Sequence, residues 1–248
     1  MKRIYVLVSL AALAGLLTVF GVAARETPAS PADPLVAGFR KTTVASVADA
    51  VDQVVGERGF LSHDMRPRVG DQLVGRAITA LVRPAPPEKA TAQLSAKHTV
   101  GLIDNAKPGE VAVIVIEDGL DVAGIGGLMA TTAKARNLAG VVVDGGIRDV
   151  AEIRSLGLTV FSRSITSSTT VGRYASVSNQ TPVNCAGVVV KPGDIIVGSE
   201  DGVVRVPQEK AAEVLKRAQE MDERETKMVP YILKFKSLTK VVQMFNRI

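Results

Sequence analysis

The sequence predicts an α/β domain built around a partly parallel β-sheet. Apolar segments rich in branched residues, typical of buried strands, alternate with segments whose apolar residues recur at helical spacing. The predicted strands are 110–116, 139–144 and 158–161, and the helices between them are 128–136 and 150–156. Because strands that alternate with helices usually belong to βαβ units, these strands are expected to be parallel.

The segment before these strands predicts two helices and one further strand. A helix is expected within 42–55, where five valines share one face; it begins at Ser46, because Ser46-Val-Ala-Asp49 resembles a capping box, and ends at Gly56. A strand over 73–82 and a helix over 90–104 follow.

The second half of the chain has shorter elements. Strands are expected at 182–190, 194–197 and 202–206, separated by turns that contain Gly, Asp and Pro. A charged helix then runs from residue 208 to about 227 and is ended by Pro230, with a shorter helix after it. Its single apolar stripe favours a docking or oligomer element.

The N-terminus has the pattern of a targeting segment. Met1-Lys2-Arg3 precedes an uncharged stretch that ends in small residues at Ala24, which is typical of a secretory signal peptide over 1–24. About 20 apolar residues can also form a membrane anchor. We expect an exported protein, periplasmic or secreted, with a tether over 25–41 and one domain over 42–248. Only an uncleaved N-terminal segment would place it in a membrane.

Composition disfavours a nucleic-acid partner. The formal net charge is only +5, Trp is absent, and no arginine-rich run occurs. The single cysteine, Cys185, excludes an internal disulfide and lies in an apolar segment, so we interpret it as a core residue rather than a nucleophile.

The strongest candidate site follows the strand over 139–144. Asp144-Gly-Gly predicts a turn, and Arg148 and Asp149 stand directly after it at the start of a helix. An arginine can bind a carboxylate through two parallel hydrogen bonds, while an aspartate can bind a cation. The alternative is a helix cap with a surface ion pair.

A glycine turn, Gly124-Ile-Gly-Gly127, follows the strand over 110–116. Its free backbone N–H groups, from Gly126, Gly127, Leu128 and Met129, could hold a small anion, although a purely steric need for glycine explains the turn equally well. Since both strands are predicted to be parallel neighbours, the two turns should meet at one edge of the sheet. His63 and His98 lack zinc-ligand spacing, so a metal here would rest on carboxylate and water, which favours Mg²⁺ or Mn²⁺.

These motifs resemble the RraA-like family, which includes the class II 4-hydroxy-4-methyl-2-oxoglutarate aldolases. The resemblance runs from about Val44 to Thr239 and implies a three-layer α/β fold of the swivelling kind. It also implies a homotrimer or hexamer with the site between subunits. The motifs that carry it are Val47-Ala-Asp49-Ala, Gly75-Arg-Ala77-Ile-Thr79, Lys107-Pro-Gly109, the Gly-Gly helix start, Gly140-Val-Val-Val-Asp-Gly-Gly-Ile-Arg148-Asp149, Pro192-Gly-Asp194 and Asp201-Gly-Val-Val-Arg-Val-Pro207.

The resemblance also implies residue roles. Arg148 would bind the carboxylate of pyruvate, Asp149 would hold the divalent cation largely through waters, and the backbone N–H groups of Gly127 to Met129 would complete the carboxylate site. Glu223 or Glu225 from a neighbouring subunit would approach it. The implied function is a metal-dependent lyase that acts on a small 2-keto acid through a pyruvate enolate, either as an aldolase or as an oxaloacetate decarboxylase.

One position departs from the aldolase pattern. The aldolases carry an acid twenty-one residues before the arginine, where this chain has Gly127. Glu117, Asp118 or Asp121 in the same loop could substitute for the missing proton relay. The alternative function is a non-catalytic binding protein, either like the family branch that inhibits a ribonuclease or as an exported ligand binder.

Overall fold

Four parallel strands form the centre of the protein, one more than the alternation in the sequence predicts. The structure is a computed structural model that describes residues 33–245. The helices are α1 (Pro34–Phe39), α2 (Val44–Val55), α3 (Ala92–Asp104), α4 (Gly127–Ala135), α5 (Val150–Leu156), α6 (Ala211–Phe235) and α7 (Leu238–Phe245). The strands are β1 (Arg66–Val69), β2 (Leu73–Pro84), β3 (Val111–Ile116), β4 (Ala123–Ile125), β5 (Gly140–Ile147), β6 (Val160–Ile165), β7 (Tyr174–Asn179), β8 (Val183–Cys185), β9 (Val188–Val190), β10 (Ile195–Ser199) and β11 (Gly202–Val206).

The main sheet is mixed, which confirms the predicted α/β class. Its strand order is β1-β6-β5-β3-β2-β10-β11, with β4 paired to β5 and β7 paired to β2. The pairs β2–β3, β3–β5 and β5–β6 are parallel, whereas β1, β7, β10 and β11 pair antiparallel with their neighbours. The expected parallel neighbours, now β3 and β5, are therefore adjacent.

Alternate residues of the central strands pack on opposite faces of the sheet. In β3, Ala112, Ile114 and Ile116 belong to a cluster that includes side chains from α3, α4 and α5. The other β3 residues belong to a second cluster on the opposite face. That face is covered by the β8–β9 hairpin and the segment 61–65 rather than by a helix.

A third apolar cluster joins the two ends of the domain. Helices α1, α2 and α6 pack over β10 and β11, and Phe39 at the end of α1 is fully buried there. Asp33 caps α1 through its Oδ1 and accepts a hydrogen bond from Arg76 Nε at 2.6 Å through its Oδ2. Residues 33–41 thus belong to the domain, and the expected tether over 25–41 is wrong in that part. The signal segment 1–24 and the rest of the tether lie outside the described residues.

The start of α2 also differs from the prediction. Thr43, rather than Ser46, is the N-cap, and its Oγ1 accepts a hydrogen bond from the Ser46 backbone N–H at 3.2 Å. The Asp222 carboxylate accepts from the same threonine, which ties this cap to α6. The predicted end is confirmed, since Gly56 takes the left-handed conformation with φ of 74°.

Two other boundaries were wrong for identifiable reasons. The predicted strand 182–190 is a hairpin, because Ala186 and Gly187 both have positive φ, as a two-residue hairpin turn requires. Helix α6 continues through Pro230 to Phe235. Because proline has no backbone N–H, the carbonyl of Thr226, four residues earlier, has no helical hydrogen bond. Thr226 is exposed, so water can hydrogen-bond to that carbonyl instead.

Cys185 is a buried residue of β8, in agreement with its interpretation as a core residue. Burial raises the pKa of its thiol well above the usual value, so little reactive thiolate forms at neutral pH. Between residues 33 and 245, none of the helices combines the length and the apolar character needed to cross a membrane.

We predict that Phe39→Ala destabilises the protein by about 3–5 kcal/mol, because it leaves a cavity in the third apolar cluster. Lys41→Ala, a change at an exposed position two residues away, is the matched control and should have little effect. Urea unfolding checks both. Equal midpoints for the two variants would show that α1 is a tether after all.

Candidate functional site

Strand β5 pairs in succession with two strands on the same side. Its first part pairs with β3, up to Val115 opposite Asp144, and its last part pairs with β4, where Ile125 lies opposite Ile147. Since β4 leads directly into α4, the start of that helix is held beside the residues that follow β5. This pairing brings Arg148 and Asp149 next to Gly126 and Gly127.

Asp144-Gly145-Gly146 forms an irregular section within β5, rather than the turn that the sequence predicts. The register with β6 shifts between Val143 and Gly146. The Gly146 N–H lies 3.1 Å from the Gly119 carbonyl and 3.0 Å from the Val122 carbonyl, and it donates to both. A Cβ at residue 146 would lie 2.9 Å from Val122 O. Glycine is therefore needed where the loop before β4 approaches β5.

Asp149 has an unusual backbone conformation that directs its side chain. It is the N-cap of α5, with φ of 57° and ψ of 36°, and its carboxylate makes no capping bond to its own helix. Instead its Oδ2 accepts a hydrogen bond from the Gly127 N–H at 2.9 Å. The carboxylate of Asp149 thus occupies part of the N-terminal end of α4, which carries positive partial charge.

Arg148 lies beside this hydrogen bond. Its backbone N–H donates to the Ile125 carbonyl at 3.1 Å, and its Nε lies 3.7 Å from Asp149 Oδ2. The two side chains remain 43% and 44% exposed. Arg148 lines a cavity of about 180 Å³ with Gly126, Met129 and residues of α3. The guanidinium is therefore accessible to a small anion.

Gly126 allows the close approach of these side chains. A Cβ at this position would lie 2.7 Å from Asp149 Oδ2 and 3.0 Å from Arg148 Nε. A larger residue at 126 would require both side chains to move, so glycine allows their present positions.

Glu152 is a site residue that the sequence analysis missed. A Cβ on Gly127 would overlap the Glu152 carboxylate, which reaches from the first turn of α5 to the start of α4. In this conformation the chain cannot hold a side chain at residue 127, because an acid from another helix already occupies that space. The available signal was the spacing Asp149-x-x-Glu152, which puts both residues on the same turn.

None of the three acids expected to substitute for the missing one lines the cavity beside Arg148. Glu117 and Asp118 line a different cavity, of about 500 Å³, which also includes residues of β8. There the Glu117 carboxylate accepts from Arg83 Nε at 2.8 Å. Asp121 is exposed, and its backbone carbonyl accepts from Thr166 Oγ1.

The remaining predicted residues are dispersed. Leu128 is 87% exposed at the start of α4, whereas Met129 is partly buried. Glu223 is exposed and accepts from Lys227 Nζ at 2.9 Å, and this contact lowers the pKa of its carboxyl. Glu225 lies in the same helix, which packs against α1 and α2. Both would reach Arg148 only from a neighbouring chain.

Asp144 is buried, and both oxygens of its carboxylate accept hydrogen bonds within the fold. Its Oδ1 accepts from Arg163 Nη1 at 3.1 Å, and its Oδ2 accepts from the Ala186 N–H in the hairpin turn. Arg163 also pairs with Asp64, at 2.8 Å from Nη2, and lowers the pKa of that carboxyl. Asp64 is thus engaged by the arginine, while His63 is exposed; His98 lies within α3.

Within residues 33–245 there is no group of three or more His, Cys, Asp or Glu residues that could hold a metal ion. The site does offer two carboxylates to a cation. Asp149 and Glu152 both adjoin the Gly126–Gly127 turn. Mg²⁺ usually keeps several waters and uses one or two protein carboxylates, so this donor set fits such an ion.

Comparison with known proteins decides the family. The family model described as RraA-like, Aldolase/RraA, matches residues 44–205. The chain belongs to the RraA-like family. The resemblance noted in its motifs is therefore confirmed.

Individual RraA-like relatives agree with this assignment. An uncharacterized protein of Methanocaldococcus jannaschii is 36% identical over 135 residues, which cover 54% of this chain and 64% of that protein. A protein of Halalkalibacterium halodurans, provisionally named a 4-hydroxy-4-methyl-2-oxoglutarate aldolase, is 32% identical over 182 residues, covering 73% of this chain and 80% of that protein. The crystal structure of Streptomyces coelicolor RraAS2, described as an unusual member of the RNase ES inhibitor RraA family, has a TM-score of 0.70 at 25% identity and covers 79% of this chain and 96% of that one.

We predict that Gly146→Ala destabilises the protein by about 1–3 kcal/mol, because the added methyl group collides with backbone that cannot move freely. Gly101→Ala in α3 is the control: its Cβ would meet nothing nearer than 3.9 Å, and alanine should stabilise this helix by up to about 1 kcal/mol. Thermal unfolding measures both. A neutral Gly146→Ala would contradict the proposed close approach of the loop before β4.

Proposed function

We propose that this protein is a divalent-cation-dependent lyase that cleaves a 2-keto acid through a pyruvate enolate. The observation that carries the proposal is that Arg148, Asp149 and Glu152 all adjoin the N-terminal end of α4. One cationic and two anionic side chains at one glycine turn suit a ligand that has both a carboxylate and a polarised oxygen. The aldolase name of the H. halodurans relative supports the same reaction class.

Arg148 would bind the carboxylate of the substrate. A guanidinium can donate two parallel hydrogen bonds to a carboxylate, and this side chain is close to half exposed. The N–H groups of Leu128 and Met129 belong to the first turn of α4, where backbone donors have no acceptor within the helix. They extend the anion site beyond Gly127, whose own N–H is used by Asp149.

Asp149 would hold Mg²⁺ or Mn²⁺ largely through waters, and Glu152 would lie beside those waters. Such an ion supplies positive charge that stabilises an enolate oxygen when the carbon–carbon bond breaks. Asp149 is already oriented by its hydrogen bond to Gly127, so its carboxylate needs little rearrangement to take this part.

Glu152 would also handle the proton that the family acid handles in the aldolases. In oxaloacetate decarboxylation, the bond to the leaving carboxylate breaks, its electron pair forms the enolate, and a proton must then be added to the methylene carbon. Glu152, which lies at the Gly127 turn, would deliver that proton in its protonated form, directly or through one water, and would take a proton back from solvent after each turnover. We therefore favour decarboxylation, with aldol cleavage through the same enolate.

Assembly and location complete the proposal. The protein would form a homotrimer or hexamer in which Glu223 or Glu225 of a neighbour approaches Arg148, and it would be exported. A non-catalytic binding protein is the second candidate, and the likeness to the S. coelicolor RraAS2 structure, from a family of ribonuclease inhibitors, supports it.

We predict that the chain lacking residues 1–24 releases pyruvate from oxaloacetate with Mg²⁺ or Mn²⁺ and loses this activity in EDTA. Arg148→Ala and Asp149→Ala should each lower kcat/KM by about 10²–10³, the usual cost of removing a charged contact to the transition state. Arg154→Ala, six residues after Arg148 in the chain, is the control. Release no faster than that caused by free Mg²⁺ would reject the oxaloacetate decarboxylase and favour either the binding protein or a different keto acid as substrate.

We also predict that Gly127→Ala and Glu152→Gln give similar losses of activity that do not add in the double variant, because the methyl group at 127 acts by displacing the Glu152 carboxylate. Stability should change little, since that carboxylate is the end of a flexible side chain. Steady-state kinetics of the two single variants and the double variant test this. Additive losses would show that Glu152 and Gly127 act separately.

A further inference from the structure

A β-bulge in β5 lies just before the candidate site. Asp144 and Gly145 of β5 both lie opposite the single residue Arg163 of β6, because the register between the two strands shifts at this point. The residues after the bulge are therefore set back along β6 by one position, which is about 3.3 Å in a parallel sheet. Arg148 directly follows this displaced end of the strand.

Side chains hold the bulge where the ladder between β5 and β6 is interrupted. Asp144 Oδ1 accepts a hydrogen bond from Arg163 Nη1 at 3.1 Å, and Asp144 Oδ2 accepts from the Ala186 N–H in the hairpin turn. The Nε and Nη2 of Arg163 lie 2.9 and 2.8 Å from Asp64 Oδ2. One ion pair thus connects the bulge to β6, to the β8–β9 hairpin and to the segment 61–65.

The burial of Asp144 favours a role in geometry over a role in stability. Among residues 33–245, only Asp144, Asp194 and Arg205 are both charged and buried. Taking an ion pair out of water costs free energy that its attraction offsets only in part, and apolar residues often serve as well in such positions. The best-attested use of a buried ion pair is to fix one register. Bulges beside active sites, in turn, direct the side chains that follow them.

We propose that Asp144 and Arg163 are positioning residues for Arg148 and Asp149. Their ion pair fixes the bulge, and the bulge sets where β5 ends and where the two site residues begin. Neither positioning residue lines the cavity beside Arg148, and both instead line the cavity of about 500 Å³ near β8. They therefore act through the backbone rather than on a ligand. The inference rests on the proposed binding role of Arg148 and Asp149, but not on the reaction that follows.

Backbone hydrogen bonds connect the bulge to the rest of the site. The Gly146 N–H, directly after the bulge, donates to two carbonyls of the loop before β4, and the Arg148 N–H donates to the Ile125 carbonyl of β4. Strand β4 leads into α4, where the Gly127 N–H lies 2.9 Å from Asp149 Oδ2. A displacement of the bulge would therefore alter the hydrogen bond between Gly127 and Asp149.

Asp144→Asn tests the proposal in the chain lacking residues 1–24, which keeps all three apolar clusters. An amide places an NH₂ group where one carboxylate oxygen was, so either Arg163 or the Ala186 N–H loses its acceptor. We expect hydrogen exchange of the Gly127 amide, measured by NMR, to become roughly 2-fold to 10-fold faster, the equivalent of one net hydrogen bond. The dissociation constant of oxalate in the presence of Mn²⁺ should rise by about 10-fold to 100-fold, the usual effect of changing a residue that orients metal ligands.

Asp194→Asn is the matched control. Asp194 is also buried, and its carboxylate lies 2.9 Å from Arg205 Nε. Its backbone carbonyl accepts from the Ala77 N–H, where the parallel pairing of β2 with β3 begins, at the edge of the sheet opposite the site. This variant should lower the midpoint of thermal unfolding, yet leave Gly127 exchange and oxalate binding as they are in the parent.

Arg163→Lys gives a second test if Asp144→Asn does not fold. Lysine keeps the charge, but one ammonium group cannot span Asp64 and Asp144 as the planar guanidinium does, so the same changes are expected. Unchanged Gly127 exchange in a folded variant, or an equal loss of oxalate binding in Asp194→Asn, would overturn the proposal. A parent protein that binds no oxalate would instead count against the proposed function, and Gly127 exchange would still decide the positioning role.

Discussion

The hydrogen bond from the Gly127 N–H to the Asp149 carboxylate is the contact on which the candidate site depends. It joins the start of α4 to the start of α5, two helices that follow adjacent strands in the sheet. Asp149 takes the left-handed conformation to make it, and in doing so leaves its own helix without a side-chain cap. Residues that are held in a sparsely populated backbone conformation and make a contact in a cleft are typical of functional sites.

The glycines at residues 126 and 127 leave space for the side chains of the site. At both positions a side chain would meet atoms of the acidic or basic groups that define the site. The family resemblance implies an acid where this chain has Gly127, and here the Glu152 carboxylate of α5 lies beside that turn. In the proposed function, Glu152 would supply from α5 the negative charge that the aldolase pattern supplies at residue 127.

Much of the fold follows from local patterns in the sequence. The branched apolar runs of β3 and β5 are typical of strands buried on both faces, and their parallel pairing follows from the helix between them. The adjacency of Arg148 to the glycine turn could be predicted for the same reason. The irregular part of β5 could not, because Asp144-Gly-Gly is equally typical of a turn, and only the loop before β4 decides between them. Glu152 was missed since its position depends on the conformation of Asp149. Helix α1 was missed although Asp33 and Pro34 form a helix-start signal, because its six residues are too few to show a helical pattern of apolar residues.

Direct measurement of cation binding tests the central claim, that the end of β5 forms a single site for a carboxylate and a divalent ion. Electron paramagnetic resonance of free Mn²⁺, titrated with and without oxalate as a mimic of the pyruvate enolate, counts bound ions without requiring turnover. We expect one Mn²⁺ per chain, bound more tightly with oxalate. Binding should be lost in Asp149→Asn and weakened in Glu152→Gln, and the oxalate effect should be lost in Arg148→Ala. Binding that is unchanged in Asp149→Asn and Glu152→Gln, or an oxalate effect that survives Arg148→Ala, would contradict it.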